Sequence, residues 1–316
     1  MSIALESKPA SPPRELLVND EGNSALHFID SDAPPRNWSI QGPGRDLQLI
    51  GHGQLLRSQP QGFIELDLAR HGAVVRDVRL TDLPGGVESA RRLANGNTVV
   101  AGNGADGAFL WELDRSQQPV QGHQLSFPGV EKVRLVRGTE QASFLFCSEK
   151  QGRNLIHEAT WEVGARVLFE IPVGTPADSM VKVVRSSANV LTVSTGYAAS
   201  VLRIDPSQKA ILQTIGGKAQ PEPNGHSRGL SPFFFSGFQQ FENGDCLVSN
   251  WQGHSAGKNG QGLQLLRYDA DGRLLWAFDQ TQYPALSSIN NVIVLDGLDT
   301  QRLHDEPRGV LEPVAS

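Results

Sequence analysis

The sequence predicts an all-β protein, a six-bladed β-propeller with four antiparallel strands in each blade. Three observations lead to this fold class. A unit of two short strands separated by a polar turn and closed by an acidic residue occurs six times. Asn-Gly turns, the strongest short hairpin signal, precede two of these units, and no convincing amphipathic helix interrupts them. Four short strands in each unit of about 40–50 residues are typical of propeller blades.

Each repeat pairs a β-branched strand with an apolar strand that ends in an acid. The pairs are Leu16–Asp20 with Ala25–Asp30, Gln54–Ser58 with Phe63–Asp67, Asn97–Asn103 with Phe109–Asp114, Phe144–Ser148 with the segment ending at Glu162, Val190–Ser194 with Val201–Asp205, and Cys246–Asn250 with Leu263–Asp269. Five of the six closing acids are Asp, which can accept backbone N–H bonds in the following turn. We therefore expect these acids to be structural rather than catalytic.

Two further strands complete each blade. An outer strand follows the closing acid, as at Val74–Leu80 and Ile211–Ile215. An inner strand precedes each pair and ends in a tight turn, shown best by Asn95-Gly96 and Asn243-Gly244. The Gly and Pro content, 33 and 19 of 316 residues, suits a chain that turns this often without reaching the level of disordered segments.

The two ends of the chain predict how the ring closes. Only Pro-rich sequence precedes Leu16, so the first blade lacks an inner strand, while Ser287–Asp296 is a surplus strand after the sixth. Placing this C-terminal strand in blade one removes the open sheet edges. We expect residues 1–13 to be disordered, 14–300 to form the propeller, and 301–316 to be a loose tail.

Charge and hydropathy exclude two classes of partner. Lys and Arg number 28 against 34 Asp and Glu, a net charge of −6, which argues against nucleic-acid binding. No apolar run approaches the ~18–20 residues of a membrane span. The segment Met1–Pro13 has no apolar core of a signal peptide, so a cytoplasmic protein is predicted.

Cys147 and Cys246 lie in predicted strands and are expected to be buried free thiols, with a disulfide as the alternative.

The repeat resembles that of the six-bladed propeller superfamily, in the NHL-repeat and TolB-like group, over nearly the whole chain. Lactonase-type relatives in this superfamily bind a divalent metal in the channel, which makes a channel cation possible here. The segment Tyr268–Trp276 also looks like one repeat of a PQQ-type propeller. The other five units lack the corresponding Trp, so a bound PQQ cofactor is not expected.

Two long loops flank the sixth blade on one face of the predicted ring, namely 216–235 and 250–262. Both exceed ordinary connections, and loops on a rigid scaffold often carry function. His226 and His254 have the chemistry of catalytic acid–base groups or metal ligands. The expected ligand-binding residues in these loops are Trp251, Arg228, Lys258 and Asn250. The alternative is a pair of solvated loops without a ligand.

The inner strands and one further loop add polar residues on the same face. Glu88, Asp178 and Lys182 lie near predicted strand starts, and Tyr197 lies in another loop. We expect a polar funnel whose carboxylates transfer protons or bind a cation. A self-neutralising lining of alternating charges is the alternative.

The predicted function is that of a small-molecule enzyme, a hydrolase, lyase or isomerase, with a polar site at the channel mouth near blade six. The alternative is a non-catalytic module that binds a protein or glycan, so whether the chain is an enzyme stays open. A deep pocket would favour the enzyme, and a broad apolar patch would favour the module. Phe233, Phe234 and Phe235 favour the module if they are exposed. No GxSxG, Walker or HExxH motif occurs.

Overall fold

The computed structural model describes residues 12–172, 180–187, 189–220, 229–254, 262–280, 283 and 286–314. This part of the chain contains 26 β-strands and one 3₁₀ turn, Pro34–Arg36. None of its helices is long and apolar enough to cross a membrane. Of the N-terminal segment predicted to be disordered, only Pro12 and Pro13 lie within the described residues.

Six four-stranded antiparallel sheets form the blades of a six-bladed propeller. From the axis outward, blade one contains β24 (Ile289–Val294), β1 (Glu15–Asp20), β2 (Ala25–Asp30) and β3 (Trp38–Gln41); blade two β4 (Leu47–Gly51), β5 (Gln54–Gln59), β6 (Gly62–Asp67) and β7 (Ala73–Arg79); blade three β8 (Gly85–Arg92), β9 (Thr98–Gly104), β10 (Gly107–Leu113) and β11 (Pro119–Pro128).

The remaining blades repeat this order. Blade four contains β12 (Arg137–Gly138), β13 (Phe144–Lys150), β14 (Arg153–Thr160) and β15 (Gly164–Glu170); blade five β16 (Lys182–Ser187), β17 (Val190–Ser194), β18 (Ser200–Asp205) and β19 (Ala210–Gly216); blade six β20 (Phe234–Gln240), β21 (Cys246–Trp251), β22 (Leu265–Tyr268) and β23 (Leu274–Phe278).

The ring closes as the sequence predicts. The C-terminal strand β24 pairs antiparallel with β1, so that Leu17 lies opposite Ile293. Blade one is therefore built from both ends of the chain, and its two parts hold each other in place. The fold class predicted from the repeat is confirmed.

The Asp residues that close the repeats act as predicted. In the described chain their carboxylates accept backbone N–H bonds from the turn that follows, at Asp30, Asp67, Asp114, Asp205 and Asp269. These bonds satisfy amides that the turn leaves without strand partners, which explains why a short acid recurs there.

Six apolar clusters form the core, one between each pair of neighbouring blades. Cys147 and Cys246 lie buried in two of them as free thiols, as predicted.

The three consecutive phenylalanines, Phe233 to Phe235, differ in their burial. Phe235 is fully buried in the cluster between blades five and six, whereas 40% of Phe233 is exposed.

The C-terminal segment differs from the predicted loose tail. His304–Asp305 (β25) and Glu312–Pro313 (β26) form a small antiparallel hairpin. Leu303 bridges to Ile50, and Val310 bridges to Gln240, so the segment crosses the channel end at which the inner strands finish. It is ordered because its acidic side chains neutralise buried cations inside the ring, as described below.

Candidate functional site

The candidate site lies at the mouth of the channel, where the inner strands begin. A cavity of about 210 Å³ and a second of about 540 Å³ open there, and both are lined by Glu21, Arg45 and His254. Each inner strand, or the residues just before it, contributes one or more lining residues: Asn290, Arg45, Glu88, Arg134, Val181, Phe234 and Ser236. Because all inner strands run in the same direction, residues from every blade meet at this mouth.

Aromatic side chains form the wall of the smaller cavity on the side of blades five and six. The ring of Phe234 packs edge-on against Tyr197, with centroids 4.7 Å apart, and against Trp251 at 5.2 Å. Trp251 also packs against His254 at 4.7 Å. The predicted ligand platform Trp251 is therefore joined by Tyr197, which the sequence places in a separate loop.

Charged residues line the opposite side of the mouth. Arg45 pairs with Glu21 at 2.9 Å and with Glu88 at 3.2 Å. A guanidinium nitrogen of Arg134 lies 4.0 Å from Glu88. The lining therefore alternates acid and base across blades one to four. Its carboxylates are held by arginines, which fixes their positions at the edge of the cavity.

His254 is the imidazole of this site. Its Nδ1 lies 3.9 Å from Oε1 of Glu21, and 73% of its side chain is exposed. An imidazole at the edge of a cavity can act as an acid or a base towards a bound molecule. The structure thus places the predicted His254, Trp251, Tyr197 and Glu88 around one mouth.

Asn250 has a different position from the one predicted. It is buried, and its side-chain amide donates to the carbonyl oxygens of Leu230, Ser231 and Leu263. Its Oδ1 accepts the backbone N–H of Phe233 at 2.8 Å. The side chain therefore holds together the two loops that flank blade six and does not face the cavity.

Lys182 also lies away from the mouth, contrary to the prediction of a ligand-binding role in the funnel. It is buried within the ring, where Nζ donates to Oε1 of Glu306 at 2.6 Å and to the carbonyl of Phe238. Burial lowers the pKa of Lys182 to about 8. The charge of Glu306 raises this pKa, whereas the nearby charges of Arg137 and Arg91 lower it further.

The surroundings of Lys182 form a buried cluster of three cations and three anions. Arg137 binds Asp46 through two nitrogens, at 2.9 and 3.1 Å, and binds Glu306 at 2.7 Å. Arg91 contacts Asp46 and Asp305. Asp305 and Glu306 come from the C-terminal segment. This part of the channel is the self-neutralising lining that the sequence offers as the alternative, and it closes the channel below the mouth.

Other predicted residues fall outside the described chain. These are His226, Arg228, Lys258 and Asp178. The sequence reasoning missed Glu21, Arg45 and Arg134 at the mouth. Their positions in the repeat could have indicated them, as they did for Glu88. Glu21 lies in a turn of blade one, and Arg45 and Arg134 lie just before inner strands on this face. No group of three or more His, Cys, Asp and Glu side chains that could hold a metal occurs within the described residues.

Comparisons with known proteins support the fold. No family model matches the chain, and no curated protein matches it. A protein of unknown function from Bacteroides caccae is 18% identical with a TM-score of 0.65, over 89% of this chain and 98% of that one. Virginiamycin B lyase from Staphylococcus aureus is 13% identical, with a TM-score of 0.52, over 84% and 80%.

A further similar structure is a chain of a nidogen/laminin complex, at 10% identity and a TM-score of 0.55, covering 88% of this chain and 97% of that one. These identities are low enough that the similarities concern the fold alone. The propeller neighbours include an enzyme, a chain from a protein complex and a protein of unknown function. The chain is therefore a six-bladed β-propeller whose candidate site is the polar and aromatic mouth of its channel.

Proposed function

We propose that the protein is a small-molecule enzyme, and that within the hydrolase, lyase and isomerase classes it catalyses a lyase-type elimination at the channel mouth. The observation that carries this proposal is the position of His254, 3.9 Å from Glu21 at the edge of a cavity lined by two arginines and an aromatic wall. An elimination needs a base to remove a proton and a cation to stabilise the negative charge that develops.

His254 is the proposed base, and the carboxylate of Glu21 lies beside it, with Oε1 3.9 Å from Nδ1. Arg45 and Arg134 face the same cavity and would stabilise the anion formed as the proton leaves. The edges of Tyr197 and Trp251 would hold the apolar part of the substrate. The electron pair of the broken C–H bond forms the new carbon–carbon double bond, the leaving group departs with the electron pair of its own bond to carbon, and His254 holds the proton that it has removed.

Two further observations support a small molecule as the ligand. The larger cavity, of about 540 Å³, lies in the size range of sites for small ligands, and the smaller one, of about 210 Å³, shares Glu21, Arg45 and His254 with it. Virginiamycin B lyase, whose fold is similar, is named for a lyase reaction. The competing proposal is a binding module. It is favoured by the exposed ring of Phe233, which lies beside Trp251 at the site.

The test is a screen of a metabolite library for compounds consumed by the wild-type protein, followed by kinetics of His254→Asn. We expect kcat to fall by about 10²–10⁴-fold, the usual contribution of a general base. His52→Asn is the matched control, because His52 is exposed in a turn on the far side of the ring. Unchanged turnover in His254→Asn would overturn the assignment, and compounds bound without conversion would favour the binding module.

A further inference from the structure

Arg57 is a fully buried arginine that has no counter-ion among the described residues. Its side chain, on β5, is among the largest in the core with no exposed surface. Nε donates to Oδ1 of Asn19 at 2.9 Å. Within the described residues, Nη1 and Nη2 have no hydrogen-bond partner, and no carboxylate forms an ion pair with the guanidinium.

Such an arrangement is costly in a folded protein. A buried charge normally requires a partner, and an unpaired one destabilises the folded state. The five other buried or partly buried arginines nearest the channel and its mouth all have carboxylate partners: Arg45, Arg91, Arg92, Arg134 and Arg137. Arg57 is the exception in the same described region. Features of this kind are retained where function needs them.

The guanidinium lies directly behind the wall of the larger cavity. Pro43, Gly44, Ser58 and Gln59 line that cavity of about 540 Å³. A Cβ on Gly44 would collide with Nε of Arg57, so only backbone separates the guanidinium from the cavity at this point. At Gly44 the wall over the cation is therefore bare backbone.

A polar chain also joins Arg57 to the smaller cavity. Asn19 accepts the bond from Arg57, and its Nδ2 donates to Oδ1 of Asn290 at 2.7 Å and to the carbonyl of Gly44. Asn290 lines the cavity that contains His254. The same asparagine thus holds Arg57, the Gly44 segment and a residue of the candidate site.

We propose that Arg57 anchors an anion subsite of the channel mouth, which takes the carboxylate or phosphate group of the substrate when the segment Gly42–Pro43–Gly44 shifts. This proposal deepens the proposed function, and rests on it, by naming an oxyanion as the substrate class. Two free nitrogens of one guanidinium match two oxygens of such a group.

The test compares the wild-type chain with Arg57→Met by thermal unfolding and by isothermal titration calorimetry. The ligands are inorganic phosphate and acetate, and chloride at equal ionic strength is the reference. We expect both or one of the oxyanions to raise Tm of the wild type. In Arg57→Met, Tm without ligand should rise, because an unpaired buried charge is removed, and the affinity should fall at least about tenfold. Preference for phosphate or acetate distinguishes the two sources of the oxyanion.

Two variants complete the design. Arg79→Met removes the same charge from an exposed position of blade two and should change neither Tm nor binding. Arg57→Lys keeps the charge and loses the two-pronged geometry, so binding should weaken without a gain in Tm. A lower Tm in Arg57→Met, unchanged oxyanion affinity in that variant, or no response of the wild type would each overturn the subsite. Because these readouts are binding and unfolding, they are independent of the turnover lost in His254→Asn.

Discussion

Lys182 donates a 2.6 Å hydrogen bond to Glu306 inside the ring, joining the first strand of blade five to the C-terminal segment. The same carboxylate accepts from Nε of Arg137 at 2.7 Å through its other oxygen. One acid of the tail therefore neutralises cations from two blades. The contact lies below the candidate site, inside the ring.

Glu306→Gln is expected to destabilise the protein by about 3–5 kcal/mol, because it leaves the buried Lys182 without its carboxylate partner and Arg137 with Asp46 alone. Chemical denaturation with urea measures this difference. Glu312→Gln is the matched control in the same segment, since Glu312 pairs with the exposed Arg308 and should contribute less than about 1 kcal/mol. Equal losses in the two variants would show that the buried cluster does not stabilise the tail.

The same glutamate should make the protein sensitive to strong acid. Burial alone would raise the pKa of Glu306, but the charges of Lys182, Arg137 and Arg91 outweigh it and hold this pKa at about 2, below the ordinary 4.5. The stabilisation is therefore complete above pH 4.5 and is lost as the pH falls towards 2. Urea midpoints of the wild type should drop across this window, and those of Glu306→Gln should drop less.

His157 predicts a separate loss of stability at milder acidity. Burial lowers its pKa from 6.5 to about 4, and the charge of Lys150 adds to this. The folded state therefore keeps the ring neutral, bonded to Ser148 at 2.8 Å, while the unfolded chain binds a proton. Stability should fall between pH 6.5 and pH 4. His157→Gln should flatten this part of the pH profile, and an unchanged slope would contradict the assignment.

Asn250→Ala should loosen both loops beside blade six. The buried amide serves the carbonyls of Leu230, Ser231 and Leu263, which would lose their partner. We expect a loss of about 2–3 kcal/mol and faster hydrogen exchange in residues 229–235. Asn95→Ala, in an exposed turn of blade three, is the control and should cost less than about 1 kcal/mol. Exchange rates that stay at wild-type values would contradict the anchoring role.

Gly102→Ala tests the close packing of blade three near the mouth. A Cβ there would overlap the carbonyl oxygen of Gly86 and crowd the ring of Phe109. We expect destabilisation of at least about 1–3 kcal/mol in thermal unfolding, from backbone displacement. Gly86→Ala is the matched control, because its Cβ would meet only the carbonyl of Pro60 at 3.6 Å. Similar melting temperatures for the two variants would exclude this explanation.

The mouth was partly predictable from the chain. His254, Trp251 and Tyr197 were found because long or aromatic loop segments of the repeat lie on one face, and the structure brings them around one cavity. The predicted ligand-binding role of Asn250 is wrong, because the sequence does not distinguish an amide that faces solvent from one that holds two loops together. Glu21, Arg45 and Arg134 carry no motif, and only their meeting at the mouth reveals them.

Local patterns in the sequence predict the blades, because strand alternation, Asp turns and Asn-Gly hairpins act between neighbouring residues, and the surplus C-terminal strand predicts the closure of the ring. The buried charge cluster and the position of Arg57 follow only from the tertiary structure. Arg137 lies 91 residues from Asp46 and 169 from Glu306, and Lys182 lies 124 from Glu306. Whether a buried charge finds its partner depends on the three-dimensional meeting of such distant segments, which no local pattern encodes.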